Sequence, residues 1–343
     1  MKKESNNKNT VSENIQVILF LIMVIIIIYF IWLLVNKKYE FTDNFYGKLR
    51  SISWTIFKGP SIKLYDEYWK FFDSTDEYLK VQTYDLTNQF FKTWLQNLSN
   101  RSIPIQIIIE NNKFQQYQDS YWELVDYFSW NKSIHIGNDE QMWTTYVHSK
   151  FMLNEDSFWI QTANLTKSSI ESSREYFFHW KDEELHNSLE LLFDADWDGN
   201  NISTLELHPN LVVCPLNCRE IIEWLLKNAK HSIVIQTQYI LDDEIINILR
   251  EKVKEIELSI ILSDRDENYE LAWEFGPEIV KIYKKNYNHT KTMLIDGKYL
   301  LIWSMNLSSN SLDKNREVWI ILIDNPQIKQ FKEQFDKDRE KSI

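Results

Sequence analysis

Two stretches of the sequence each carry a histidine and a lysine two residues apart, followed by an asparagine and then a glutamate. The eight residues are His148, Lys150, Asn164 and Glu175 in the first stretch and His289, Lys291, Asn306 and Glu317 in the second. Residues two apart on a strand point to the same face, so each pair presents an imidazole beside an ammonium. An imidazole can attack or transfer a proton, and an ammonium can hold negative charge. The repetition of four polar types at nearly equal spacing predicts a functional site rather than a core.

Smaller polar residues accompany each set. Thr162 and Ser304 each lie two residues before the asparagine, and Glu155 and Asp296 fall in the polar turn between two apolar segments. This turn is one residue shorter in the first stretch than in the second. We expect these four residues to support the two sets.

A second similarity places both sets in a duplicated architecture. Residues Tyr78–Asn111 match Ser232–Asp264, and each segment has the pattern strand, helix, strand. The first strand of each segment ends in the same dipeptide, at Gln82-Thr83 and Gln236-Thr237. Alternation of strands and helices predicts an α/β fold with covered sheets. Two copies of one unit are therefore predicted in tandem, over residues 40–200 and 205–343.

The pattern resembles the paired His-x-Lys-x4-Asp motifs of the phospholipase D superfamily, over essentially everything after the N-terminal apolar segment. The second copy has the family order in His289, Lys291, Asp296, Ser304 and Asn306. The first copy departs from it, because Glu155 stands at the aspartate position. Gln161 and Trp303 also occupy the place where the family has glycine.

The resemblance implies an α/β fold of two similar lobes related by a pseudo-twofold axis. Each lobe would be a mixed sheet flanked by helices. Both His-Lys-Asn sets would then line one pocket where the lobes meet.

The resemblance also implies a mechanism. One imidazole would attack the phosphorus of a phosphodiester, and the other would protonate the leaving oxygen and later deprotonate water or an alcohol. The developing negative charge would be held by Lys150, Lys291, Asn164 and Asn306. Glu175 and Glu317 would each accept a hydrogen bond from the far nitrogen of an imidazole. The scheme needs no metal and no cofactor.

An apolar run over residues 15–35 follows a polar tail of residues 1–14. The run is long enough to cross about 30 Å of hydrocarbon as a helix. A cleaved signal peptide is the alternative, but the run is too long for a typical signal and no small-x-small cleavage site follows it. We expect a single-pass membrane anchor. Lysines flank the run on both sides, so its orientation stays open.

The charge of the chain restricts its partners. A net charge of -12 over 343 residues argues against a general nucleic-acid coat, because such proteins carry an excess of Lys and Arg. Any polyanion would have to bind at a local basic pocket. The acid-free stretch over residues 281–291 contains Lys281, Lys284 and Lys285 beside Lys291. It is equally compatible with a substrate funnel and a solvated strand edge.

Two segments have structural interpretations. The acidic segment Asp194–Glu206 is interpreted as a linker between the copies, with a calcium loop as an alternative that Glu206 fits poorly. Cys214 and Cys218 are too few for a disulfide framework. We expect Asn217 or Cys218 to cap a helix rather than to serve redox chemistry.

The fold does not select the phosphodiester. An anchor that holds the pocket near lipid headgroups favours phospholipid hydrolysis or phosphatidyl transfer, as in the bacterial cardiolipin synthases of this superfamily. A membrane-anchored nuclease is the alternative, with Trp122, Trp130 and Trp143 as a base-stacking platform, although core packing is the preferred interpretation of these rings. A catalytically silent scaffold is a third hypothesis, weakened by the intact His-x-Lys pairs. No obligate protein partner is inferred.

Overall fold

The structure is a computed structural model that describes residues 20–29, 47–52, 55–111, 120–324 and 326–343. The strands of the first sheet are β1 (Thr55–Lys58), β2 (Leu79–Thr83), β3 (Ile105–Ile109), β4 (Ile134–Gly137), β5 (Phe151–Asn154), β6 (Phe158–Gln161) and β7 (Tyr176–Trp180). The helices beside it are α1 (Leu64–Asp73), α2 (Gln89–Asn100), α3 (Ser120–Tyr127), α4 (Lys167–Glu171) and α5 (Glu183–Asp198).

The second sheet is built in the same way. Its strands are β8 (Leu211–Cys214), β9 (Ser232–Thr237), β10 (Glu257–Ser263), β11 (Val280–Tyr283), β12 (Lys291–Ile295), β13 (Tyr299–Trp303) and β14 (Glu317–Leu322). The helices are α6 (Cys218–Asn228), α7 (Asp243–Lys252), α8 (Asp266–Phe275), α9 (Ser309–Asp313) and α10 (Gln327–Arg339). Short 3-10 turns occur at Asp139–Gln141 and Thr204–Glu206.

The two sheets have the same strand order. The first runs β1-β7-β6-β5-β2-β3-β4, and the second, written from the equivalent edge, runs β8-β14-β13-β12-β9-β10-β11. In each sheet three strands are parallel and the others are antiparallel, so both sheets are mixed. The elements of the two sheets fall within the ranges 40–200 and 205–343 that the sequence repeat predicts. The prediction of two mixed sheets flanked by helices is therefore confirmed.

The central strands form because their residues suit burial on both faces. All of β2 is buried, as is all of β9 after Ser232, and both are rich in β-branched residues. The following helices begin at polar caps, where the side chain of Asn88 accepts from the backbone N–H of Phe90 and that of Asp242 accepts from Ile245. Each unit thus passes from strand to helix at the same polar edge.

One apolar cluster joins the two lobes. It includes Phe151 and Leu189 from the first lobe and Val234 and Phe331 from the second, all nearly or completely buried. Residues 50–343 accordingly form one compact unit. A separate cluster packs α1 and α2 against the first sheet.

The predicted membrane span lies mostly outside the described residues. Of residues 15–35, only 20–29 are described, and they are helical, while the tail of residues 1–14 is not described. Within the described ranges, no helix has both the length and the apolar character that crossing a bilayer requires.

Two predictions about connecting segments were wrong. The acidic segment Asp194–Glu206 is not a linker throughout, because α5 continues to Asp198 and ends at Gly199, whose φ of 68° suits glycine. Cys214 and Cys218 form a disulfide. The side chain of Asn217 makes no capping hydrogen bond at α6 and instead accepts from the backbone N–H of Val213.

The preferred interpretation of three tryptophans as core residues was also wrong. Trp122, Trp130 and Trp143 are 59%, 69% and 51% exposed. The core instead contains Trp159 and Trp303, which are fully buried. Trp159 and Trp303 lie on β6 and β13, strands that are buried on both faces, whereas the exposed three lie on a helix surface and in turns.

Candidate active site

The two His-x-Lys pairs occupy equivalent places at the polar edge of the sheets. Lys150 immediately precedes β5, and Lys291 is the first residue of β12. Both strands pair antiparallel with the central strand of their sheet, with Phe151 opposite Gln82 and Lys291 opposite Thr237. The pairs therefore lie where β2 and β9 end, which is where parallel strands of α/β sheets place their binding residues.

Each histidine is held by a glutamate of the other lobe. His148 Nδ1 lies 2.9 Å from both carboxylate oxygens of Glu317, and His289 Nδ1 lies 2.7 Å from Glu175 Oε1. Both glutamates are fully buried. A carboxylate on Nδ1 keeps the proton there, which leaves Nε2 of each ring as the basic, nucleophilic nitrogen. The reciprocal contacts are those that a twofold relation between the lobes requires.

The two hydroxyl residues hold the glutamates in place. Thr162 Oγ1 donates to Glu175 Oε2, and Ser304 Oγ donates to Glu317 Oε2 over 2.6 Å. All four side chains are buried. Thr162 and Ser304 therefore act on the glutamates rather than on a ligand.

The histidine and the asparagine of each set line a single cavity of about 1030 Å³. Its wall includes His148 and His289 together with Asn164 and Asn306. Lys150 and Lys291 are buried directly behind the histidines, and Lys291 Nζ donates to the carbonyl of His289 over 2.9 Å. The structure thus brings the eight predicted residues together around one polar cavity. Two imidazoles, two ammonium groups and two amides can bind and attack a phosphodiester.

Burial shifts the acid–base properties of the four basic groups. It lowers the pKa of His148 to about 4, although Glu317 opposes the shift, and it lowers the pKa of His289 as well. It also lowers the pKa of Lys150 to about 8 and that of Lys291 to about 7, while the buried glutamates oppose both shifts. Both imidazoles are therefore neutral at pH 7 without a ligand.

Asp296 and Glu155 lie outside the cavity wall and fasten the ends of strands. Asp296 accepts from the backbone N–H groups of Lys230, His231 and Ser232 over 2.7 to 3.1 Å. Glu155 accepts from the N–H of Asp76 over 2.7 Å. Each carboxylate thus binds the chain just before the central strand of its sheet. The longer side chain of glutamate performs the same task in the shorter turn of the first lobe.

Buried charge pairs that the sequence did not reveal join the lobes behind the site. Arg316 Nε and Nη2 donate to Asp196 over 2.9 to 3.1 Å, and Gln82 Nε2 donates to the same carboxylate over 3.0 Å. The equivalent residues are Arg174, Asp338 and Gln236. In each cluster the arginine directly precedes the glutamate of one set and reaches the last helix of the other lobe. The repeated Arg-Glu and Gln-Thr dipeptides were the feature of the sequence that could have indicated these buried pairs.

The backbone reinforces this junction. The N–H of His148 donates to the carbonyl of Arg316 over 2.9 Å, and the N–H of His289 donates to that of Arg174 over 3.1 Å. Isolated parallel bridges join Val147 with Arg316 and Arg174 with Asn288. Each histidine and its partner glutamate are therefore fixed by main-chain contacts next to them.

The basic stretch does not form the cavity wall. Lys281 lies on the edge strand β11, and Lys284 and Lys285 are exposed. None of the three lines the cavity, whereas Tyr287 of the same stretch does. The ring of Tyr287 stacks on that of His289, with 5.9 Å between the ring centroids. Arg265, which no sequence pattern indicated, is the cation at this wall among the described residues outside the two sets.

Comparisons with known proteins agree with the fold. Residues 68–197 and 222–339 match the family described as the phospholipase D-like domain of cardiolipin synthase. The chain is 29% identical over 133 residues to cardiolipin synthase of Oceanobacillus iheyensis, a match covering 34% of this chain and 27% of that protein. This match spans about a quarter of the relative's length.

Solved structures share the architecture at low sequence identity. Phosphatidylserine synthase of Haemophilus influenzae Rd KW20 superposes with a TM-score of 0.61 at 13% identity, covering 88% of this chain and 90% of that one. Polyphosphate kinase of Porphyromonas gingivalis gives a TM-score of 0.65 at 13% identity, covering 83% of this chain and 50% of that one. At this identity the likeness concerns the fold alone.

The duplicated sheets and the shared polar cavity define a phospholipase D-like enzyme. Within that class, the chain belongs to the family of the phospholipase D-like domain of cardiolipin synthase, since both of its lobes match.

Proposed function

We propose that the chain is a membrane-anchored phosphodiesterase or phosphatidyltransferase that acts on phospholipids through a covalent phosphohistidine. One observation carries the proposal. Two imidazoles, each with Nδ1 on a glutamate of the other lobe, line one cavity with both asparagines. This arrangement leaves two nucleophilic Nε2 atoms at a common space.

In the first step, Nε2 of one histidine attacks the phosphorus, so an N–P bond forms as the P–O bond to the leaving alcohol breaks. The other histidine gives its proton to the leaving oxygen. Lys150 and Lys291 hold the negative charge on the non-bridging oxygens. A bound anion raises the pKa of a nearby imidazole, so the acid is protonated in the complex although it is neutral in the free enzyme.

In the second step, the now neutral histidine removes a proton from water or an alcohol. The O–P bond forms as the N–P bond breaks, and the first imidazole is regenerated. Glu175 and Glu317 stabilise whichever ring carries the positive charge. Hydrolysis and transfer therefore use the same groups and differ only in the entering hydroxyl.

Two observations favour phospholipid over other phosphodiesters as the proposed substrate. The family match and the 29% identical relative both carry the name cardiolipin synthase. The apolar run of residues 15–35 would anchor the chain and keep the cavity near headgroups, which raises their effective concentration.

A nuclease is the second candidate because of the exposed aromatic rings. Trp122 and Trp143 are more than half exposed. Exposed rings of this kind can stack bases of a single strand.

The test incubates the full chain with labelled phosphatidylglycerol vesicles and, in parallel, with single-stranded DNA. Product from the vesicles alone supports the proposal, and product from DNA alone contradicts it. His148→Ala and His289→Ala should each reduce turnover by several orders of magnitude, as removal of a nucleophile or its base does in hydrolases. His135→Ala, a change at an exposed histidine, is the matched control and should retain activity.

A further inference from the structure

The cavity is not electrostatically symmetric. Among the described residues that line it outside the two repeated sets, Arg265 is the one cation. The first lobe instead contributes two acidic residues, Asp85 and Glu123, to the wall. A ligand with a second negative charge is therefore favoured at the wall of the second lobe and disfavoured at the wall of the first.

Arg265 adjoins the groups that would hold the reacting phosphate. Its guanidinium lies 5.6 Å from the ring centroid of Tyr239, and the hydroxyl of Tyr239 is hydrogen-bonded to Asn306. One aromatic ring thus separates Arg265 from an asparagine of the repeated sets. This spacing suits a second anionic group a few bonds away from the reacting phosphorus.

The guanidinium is fixed in place and keeps donors for a ligand. Nε donates to Glu267 Oε1 over 2.6 Å, and Tyr287 makes a further hydrogen bond to the side chain. An arginine carries five N–H donors in a planar fork, so several remain beyond these two contacts. Such a fork matches the oxygens of a phosphate or a carboxylate.

We propose that Arg265 forms the subsite for the alcohol, and that it selects alcohols that carry a phosphate or a carboxylate. The inference rests on the proposed function, because an alcohol leaves only when a phosphodiester is cleaved and enters only in phosphatidyl transfer. The leaving and the entering alcohol are handled by the same histidine, so one subsite serves both steps. In the proposed mechanism the repeated lysines and asparagines hold the reacting phosphate, which leaves Arg265 for the second charge.

The test measures transfer from phosphatidylglycerol vesicles by the full chain to four alcohols: glycerol phosphate, serine, glycerol and ethanolamine. Arg265→Ala should lower kcat/KM for glycerol phosphate relative to glycerol by about tenfold or more, the usual effect of losing a charge-assisted hydrogen bond. Arg265→Lys should lose less, because it keeps the charge without the fork. A loss for serine as well as glycerol phosphate indicates that any anion is accepted, and a loss for glycerol phosphate alone restricts the subsite to phosphate.

Two further variants sharpen the test. Glu267→Gln removes the carboxylate that partly neutralises the guanidinium, so the preference for glycerol phosphate over glycerol should increase. Arg250→Ala is the matched control, since Arg250 also pairs with a glutamate, Glu274, but does not line the cavity. Its preference should equal that of the unaltered chain.

The outcomes separate the two claims. Transfer to all four alcohols with an unchanged preference in Arg265→Ala overturns the alcohol subsite and leaves the proposed function intact. Absence of product from the vesicles with every alcohol and with water overturns the proposed function and the subsite with it.

Discussion

At the scale of residues, the site consists of side chains whose properties depend on their partners in the other lobe. His148 and His289 are ordinary imidazoles in sequence, yet burial and a glutamate across the interface decide their charge and their tautomer. Two predictions belong to this scale.

The first concerns pH. Burial lowers the pKa of His148 from 6.5 to about 4, so its neutral ring persists to lower pH. With His148 as the attacking group, the acid limb of kcat/KM should lie near pH 4 rather than 6.5. Because the pKa of Lys291 is lowered to about 7, loss of its positive charge should weaken phosphate binding and produce an alkaline limb near that pH. A pH–rate profile measures both. His135→Asn removes an exposed histidine. An acid limb that stays at pH 6.5 in this variant would contradict the lowered pKa of His148.

The second concerns the tautomer. Glu317→Gln keeps the shape of the side chain but can present either an oxygen or an N–H to His148 Nδ1, so the proton is no longer held there. We expect kcat to fall on the order of 10² to 10⁴-fold with little change in KM, as when the carboxylate of a catalytic triad is replaced by an amide. Steady-state kinetics measure this, with the exposed Glu333→Gln as control. A change in KM without a change in kcat would contradict the role of Glu317 in fixing the tautomer of His148.

At the scale of elements, the repeated spacing of a motif does not mean that all its members face the cavity. The β12–β13 turn contains Asp296 and Gly297, with φ values of 53° and 65°. In this left-handed conformation the carboxylate of Asp296 points back to the segment before β9 and accepts its backbone N–H groups. The donors of His231, Ser232 and Lys230 lower the pKa of Asp296 although its burial would raise it.

This contact predicts a change in stability without a change in chemistry. Asp296→Ala leaves several backbone donors without their acceptor and should lower the free energy of unfolding by about 2 kcal/mol. Urea denaturation measures this effect, and kcat of the folded variant should remain close to that of the unaltered chain. Asp296→Asn keeps one acceptor oxygen and should be destabilised less. A large loss of kcat at unchanged stability would place Asp296 in catalysis instead.

At the scale of the whole molecule, the two lobes share one core and two buried charge clusters, so neither set of residues is complete alone. The apolar cluster between the sheets contains residues from both lobes, and Arg316 and Arg174 each cross to an aspartate of the other lobe. This junction predicts that the lobes unfold together.

Calorimetry of the full chain should therefore give a single transition for residues 50–343. Arg316→Met leaves Asp196 buried without its cation and should lower the free energy of unfolding by about 3 to 5 kcal/mol, while the transition remains single. Arg50→Met, at an exposed pair with Glu184, should change stability by less than about 1 kcal/mol. Two separate transitions in the unaltered chain would refute the shared core.

The duplication, the α/β class and the eight residues of the two sets were predictable from the linear sequence. Strand period, helix pattern and repeated spacing can be recognised from the sequence because residues close together along the chain create them. The sequence also predicted Asp296 and Glu155 as supporting residues, without indicating that they bind backbone rather than the cavity.

The pairing of each glutamate with a histidine is apparent only in the folded chain. Glu317 and His148 are 169 positions apart, and the pairing across lobes follows from how the two sheets pack, which no local pattern encodes. The same reason hid the Arg316–Asp196 pair inside a segment interpreted as a linker, and hid Arg265 among surface charges. Residues distant in sequence form these contacts, so the contacts exist only after the two lobes have packed together.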